Sequence, residues 1–151
     1  MRKIICLILV FLCAGCVSVK VSRYIKEESP YKKNFYASFE ETLLAVNKAL
    51  EEFGWKVTET ADPQTYERDQ GLPGESVRQV LLFTEVRQTP LIVSSRYMNL
   101  NVFLRWDGQK TGVEIRYQAV TPVLVKDMRS QKNDAVVNKI LDRIGELLKK
   151  K

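Results

Sequence analysis

The side chains able to act as nucleophiles, metal ligands or proton carriers are unevenly distributed along this 151-residue chain. It has no histidine, which removes His-dependent triads, imidazole metal ligands and the usual proton shuttle near neutral pH. All three cysteines, Cys6, Cys13 and Cys16, lie at the front of the chain. The body after them has no thiol for attack on a substrate, for thiolate metal binding or for a disulfide. Neighbouring carboxylates occur at Glu27-Glu28, Glu40-Glu41 and Glu51-Glu52. The latter two fall on a helix away from its apolar stripe, where adjacent side chains diverge into solvent. Gly71-Leu72-Pro73-Gly74 lacks the spacing and the lysine of a phosphate-binding loop and has the composition of a surface loop. A Ser–Lys arrangement or two distant carboxylates could meet only through folding. The expectation is a protein that is not an enzyme and uses no metal or cofactor.

Cys16 is the cysteine whose surroundings point to chemistry. The chain opens with Met1-Arg2-Lys3, continues through the apolar run Ile4 to Leu12, and reaches the small residues Ala14 and Gly15 before Cys16. A basic end, an apolar stretch and a small-residue cleavage region are the parts of a secretory signal. The run is too short for a bilayer-spanning helix, which needs about 20 residues. Leu12-Cys13-Ala14-Gly15-Cys16 resembles the lipobox of bacterial envelope lipoproteins, with Ala14, Gly15 and Cys16 matching and Cys13 at the position that is usually aliphatic. The resemblance covers the first tenth of the chain. It implies cleavage before Cys16, a diacylglyceryl thioether on that residue and anchoring through acyl chains. Val17 and Ser18 follow with no Asp, which by resemblance to enterobacterial sorting implies an outer-membrane address facing the periplasm. An ordinary cleaved signal and an uncleaved anchor are the other readings of the same residues.

The domain reading that follows is residues 1–15 as signal peptide, 16–34 as lipid anchor and tether, and 35–151 as a single α+β domain. Loss of residues 1–15 removes Arg2 and Lys3 and no acid, taking the formal charge from +6 to +4. About 135 residues are enough for one domain with one core. This mild basicity is that of an ordinary soluble surface, and an exported protein rarely meets nucleic acid. Val17, Val19 and Val21 alternate with polar residues, a pattern open to an edge strand, but Lys26 to Pro30 breaks it. A tether of 18 residues would reach at most about 60 Å.

Ser38 with Glu41 forms a capping-box pattern, and Phe39, Leu43, Val46, Leu50 and Phe53 form one helical stripe ending at Gly54. Alternating segments follow: Trp55–Thr60; Val77–Arg87, with Val80, Leu82 and Val86 on one face; and Tyr97–Trp106, with Met98, Leu100, Val102, Leu104 and Trp106 on one face. Asp107-Gly108 signals a tight hairpin turn, after which Val113, Ile115, Tyr117 and Ala119 return on the matching face. A last helix starts near Asp134 as N-cap, with Val137, Ile140, Leu141, Ile144 and Leu148 as its stripe and Lys149–Lys151 at its negative end. The expected fold is an α-β-β-β-β-α two-layer sandwich, with about four antiparallel strands and both helices on one face.

The other face would then be open. It groups Phe83, Glu85 and Arg87 with Asn99, Asn101, Phe103 and Arg105, and with Glu114, Arg116 and Gln118. Aromatic, amide and guanidinium groups are suitable anchors for a partner, so Phe83, Arg87, Asn101, Phe103, Arg105 and Arg116 are candidate partner-binding residues. The same face also reads as a solvated sheet held by cross-strand pairs. The loop Thr89–Arg96, with Leu91, Ile92 and Val93, is a second candidate contact unless it tucks into the core. The run Ser38–Val57, ending Leu50-x-x-Phe53-Gly54-Trp55-x-Val57, resembles small envelope lipoproteins with helix-and-sheet modules, such as the BamC domains of the outer-membrane assembly machinery. The resemblance is one of pattern and transfers no residue. The functional expectation is a lipid-anchored, non-catalytic module that binds an envelope protein. The alternative is a small-ligand or glycan binder with a pocket between helix and sheet.

Overall fold

A computed structural model of the chain describes residues 21–67, 78–91, 94–121 and 134–150. Cys16, the loop Gly71–Gly74, Ile92 and Val93 lie outside them, as do Lys151 and any N-cap residue before Asp134. The described elements are β1 (Tyr31–Phe35), α1 (Phe39–Glu52), β2 (Val57–Ala61), a 3₁₀ turn (Pro63–Thr65), β3 (Gln79–Thr84), β4 (Arg87–Pro90), β5 (Ser95–Trp106), β6 (Thr111–Val120) and α2 (Asp134–Lys149). The six strands form one antiparallel sheet in the order β1-β6-β5-β3-β2, with β4 beside the first part of β5.

The helix α1 begins where its sequence says it should. The Glu41 amide donates to Ser38 Oγ and the Ser38 amide to the Glu41 carboxylate, satisfying two amides that the helix itself leaves unpaired. It ends in a Schellman motif. The Trp55 amide donates to Leu50 O at 2.7 Å and the Gly54 amide to Glu51 O at 2.8 Å, with Gly54 at φ +72°. Phe53, placed on the apolar stripe from its spacing, leaves the core at this turn and is 37% exposed. Trp55 takes its place, edge-on to Tyr117 at 6.3 Å. Asp134 is the first residue of α2 rather than its cap, and its carboxylate accepts from the Tyr31 hydroxyl.

The inner faces of β5 and β6 fall as their alternation dictates. Leu100, Val102, Leu104, Val113, Ile115, Tyr117 and Ala119 pack with Val46, Leu50, Val137, Ile140 and Ile144 of the two helices in one apolar cluster. Arg143 fastens the helices together through a two-nitrogen contact with Glu52 at 2.6 and 3.1 Å.

Four expectations need correction. First, the described residues hold six strands, and β1 precedes α1, so residues 31–34 are sheet rather than tether. Second, the segment expected over 77–87 is two strands. From Phe83 to Arg87 is four steps, but their partners on β5, Asn101 and Met98, are three apart. The extra residue reverses which face each later side chain occupies. Val86 is therefore exposed instead of joining Val80 and Leu82 in the core. Third, the Asp107-Gly108 turn is a four-residue loop, Asp107–Lys110. The Asp107 carboxylate accepts from the Gln109 and Lys110 amides, and Gly108 is at φ +97°. Fourth, the sheet is not one layer of a simple two-layer sandwich, because its second face has a cover of its own.

The capping box is the local feature that starts α1, so Ser38→Ala should lower unfolding free energy by about 1 kcal/mol in urea titration. An unchanged midpoint would show that packing alone fixes this helix start.

Candidate functional site

The second face of the sheet is built from three cross-strand rows. Leu81, Phe103 and Glu114 are aligned across β3, β5 and β6; so are Phe83, Asn101 and Arg116, and Gln79, Arg105 and Gly112. Two stretches of chain lie on top. One is Ser22–Ile25, from the region expected to be tether. The other is the 3₁₀ turn with Tyr66 and Glu67, placed by Asp62, whose carboxylate accepts from the Gln64 amide, and by Pro63 at its first position. Tyr24 stacks on Tyr66 at 5.2 Å, and Tyr66 meets Phe83 edge-on at 5.2 Å. Leu81, Phe83 and Phe103, with Tyr24, Ala61 and Tyr66 against them, make a second small core.

Asn101 and Asn99 hold the first stretch by its backbone. Asn101 Nδ2 donates to Arg23 O at 3.0 Å, and its Oδ1 accepts from the Ile25 amide at 2.7 Å. Asn99 Nδ2 donates to Ser22 O at 3.0 Å. A carboxamide carries one acceptor and two donor hydrogens, so it can pair with both groups of a passing peptide as a neighbouring strand would. Arg23 lies over the Phe83 ring at 4.9 Å and pairs with Glu59.

Arg116 is the centre of the cover. Its side chain is 5% exposed, and it bonds Glu67 at 2.5 Å (7% exposed) and Glu114 at 2.6 Å. It also donates to the Tyr24 hydroxyl at 2.9 Å and to Ile25 O at 3.2 Å, and stacks on Phe103 at 4.1 Å. Lys32 reaches Glu114 from the solvent side at 3.2 Å, so two cations meet two carboxylates. Burial works to lower the Arg116 pKa, but the bonds to Glu114 and Glu67 leave it raised, and the group stays charged. The Tyr24 hydroxyl donates to Glu67 at 2.9 Å; burial first, and then this bond, raise its pKa above the ordinary tyrosine value.

The six candidate residues therefore divide. Phe83, Asn101, Phe103 and Arg116 come together but are buried under the protein's own chain, so the expected open face is not open. Arg87 is on the opposite side because of the register change. It donates to Phe53 O at 3.1 Å and lies 4.6 Å above Trp55, completing the C-terminal end of α1. Arg105 is exposed, on the rim of a cleft of about 230 Å³ that Lys32, Glu67, Phe103 and Gly112 also line. Gln79 lines it too, and its buried Oε1 has no hydrogen-bond partner among the described residues. The cleft has a mixed polar lining, with the cations Lys32 and Arg105, the carboxylates Glu67, Asp107 and Glu114 and the amides Asn34 and Gln79, suited to a hydroxyl-rich group.

Tyr24, Ile25, Tyr66 and Glu67 were not singled out by sequence. A signal for them exists in Val80-Leu81-Leu82-Phe83, an unbroken apolar run of the kind found in strands buried on both faces. Compared with protein-family models and with curated proteins, the chain matches none. Among the described residues no helix is long and apolar enough to cross a membrane.

Arg116→Met leaves Glu67 and Glu114 facing each other without their shared cation and should cost about 3–5 kcal/mol by urea unfolding. Adding Glu67→Gln and Glu114→Gln should restore part of that loss; no recovery would mean that shape rather than charge is at stake. Because the folded pKa of Tyr24 is raised, its contribution is complete below about pH 10 and is lost as pH climbs above it. Tyr24→Phe should therefore show a smaller fall in melting temperature than wild type between pH 9 and 11.

Proposed function

We propose that this protein is a non-catalytic bacterial envelope lipoprotein. In this reading it is anchored by acyl chains on Cys16, the basic residues Arg2 and Lys3 having been removed with the leader, and it faces the periplasm from the outer membrane as a binding or assembly module for another envelope protein. The observation that carries the reading is the proximity of two features. The residues resembling a lipobox end at Cys16, and six positions later Ser22 is already clamped to the sheet by Asn99. A chain this short between attachment point and fold holds the domain against the lipid surface instead of letting it range freely. Six residue steps span at most about 20 Å.

The partner-facing surface is then not the buried Phe83–Arg116 group but the exposed rim around Arg105. A specific observation favours the second reading as well, a small ligand or glycan: the cleft beside Arg105 with the unpaired Gln79 acceptor. That cleft lies on the outer face, whereas the layer between helices and sheet is filled at Trp55 by Tyr117.

Metabolic labelling of cells with a fatty-acid analogue tests the anchor. The wild-type chain should take up label and fractionate with membranes, and Cys16→Ala should do neither. Equal labelling of both would remove the lipoprotein reading. A photo-crosslinking residue at position 105 should capture a specific envelope protein in intact cells; capture equal to that from position 44 on α1 would count against the Arg105 surface.

A further inference from the structure

We propose that the cleft beside Arg105 binds a single ring of a neutral sugar, held by Asn34, Gln79 and Arg105 above Gly112. This rests on the second reading above, a small ligand in that cleft, and adds the ligand's chemistry and the residues that hold it. The register of the sheet is the first support. Gln79 of β3, Arg105 of β5, Gly112 of β6 and Asn34 of β1 are aligned across four strands on the outer face, and all four line the cleft. Gly112 is the gap in this row. A Cβ at that position would stand 3.1 Å from Asn34 Oδ1 and intrude on the space between Asn34 and Arg105. Two strand spacings, about 10 Å, separate the backbones of those two residues, which leaves room for one ring with hydrogen bonds on both sides. The volume of about 230 Å³ points the same way, since pockets for drug-sized ligands run to roughly 300–1,000 Å³.

The next row of the same face supplies the contrast. Lys32 and Glu114 are joined there to Arg116 and Glu67 in one chain of ion pairs, at 3.2, 2.6 and 2.5 Å, so each charge has its partner. In the Gly112 row the side chains of Asn34, Gln79 and Arg105 make no hydrogen bond or ion pair among the described residues. For Gln79 this is costly, because its Oε1 is shut off from water as well, and a buried acceptor left unmet destabilises the fold. Rotation about its last torsion, which has broad minima, presents either the oxygen or the nitrogen to the cleft.

Charge selects the occupant. Two cations and three carboxylates line the cleft, so its field does not favour an anion. The groups left without partners are two carboxamides, each both donor and acceptor, and one guanidinium with its donors in a planar fork. Sugar hydroxyls also donate and accept, and two on neighbouring ring carbons match such a fork or a carboxamide in a two-point contact. Phe103, 7% exposed, lines the same cleft and gives the C–H groups of the ring a small apolar contact.

The full chain, isotopically labelled and purified in a detergent without a sugar headgroup, would be titrated with glucose, galactose and N-acetylglucosamine. Acetate and phosphate would be titrated separately, all followed by proton–nitrogen NMR. At least one sugar should give saturable shifts of the Asn34 and Gln79 side-chain amides and of the Gly112 amide, with a dissociation constant on the order of 1 mM. Gly112→Ala, which narrows the gap, should weaken this by about tenfold or more. Gln79→Leu, which removes the carboxamide, should do the same and serves if Gly112→Ala does not fold. No saturable shift with any of these compounds overturns the sugar site and the small-ligand reading together. Saturation by acetate or phosphate and by no sugar overturns the sugar site while keeping the small-ligand reading. Sugar-induced shifts unchanged in the folded variants put the binding elsewhere and also overturn the proposal.

Discussion

A guanidinium taken out of water must bring its counter-charges and hydrogen-bond acceptors with it, and the second face of this sheet is organised by that requirement. Arg116 projects from the middle of β6 onto a face with Phe103 beneath it. Its five N–H groups need acceptors that the sheet supplies only in part, through Glu114. The remainder come from elsewhere in the chain: Glu67 after the 3₁₀ turn, and the Tyr24 hydroxyl and Ile25 carbonyl from the segment before β1. Three sequence-distant pieces are held in register by one side chain. The cost of burying the ions is several kcal/mol each, which the geometry of the cluster and the balance of charges must offset.

The same constraint links fold to proposed role. Were Ser22–Ile25 a free tether, the domain could sample a wide zone above a membrane. With its backbone bound by Asn99 and Asn101, this segment belongs to the folded domain, and six residue steps separate Ser22 from Cys16. The Arg105 cleft lies beside the Trp106 end of β5, on the face that Ser22–Ile25 and the 3₁₀ turn cover.

Arg87 illustrates how a single backbone irregularity redistributes roles. Read as the continuation of β3, it belongs with Phe83 on the outer face. One additional residue between the two pairings turns it to the helix side, where its guanidinium caps α1 and covers Trp55. Val86 is displaced outward by the same step. Period-two reasoning is reliable only while the register is unbroken, and nothing in Thr84-Glu85-Val86 announces the break.

The amino-acid sequence by itself determined the elements whose signals are local. The Ser38–Glu41 capping box, the Gly54 stop, the stripe of α2 and the alternation of β5 and β6 all act over a few residues, and each formed where its pattern placed it. Only the tertiary structure decided that β1 joins the sheet edge, that β3 and β4 are separate strands, and that the outer face is covered. Those outcomes depend on pairings between residues such as Ile25 and Asn101 or Glu67 and Arg116, far apart in sequence. A hydrogen bond or ion pair of that kind has no periodicity to read. It exists only once packing has brought its two ends together, and with it four of the residues expected at the surface became the interior.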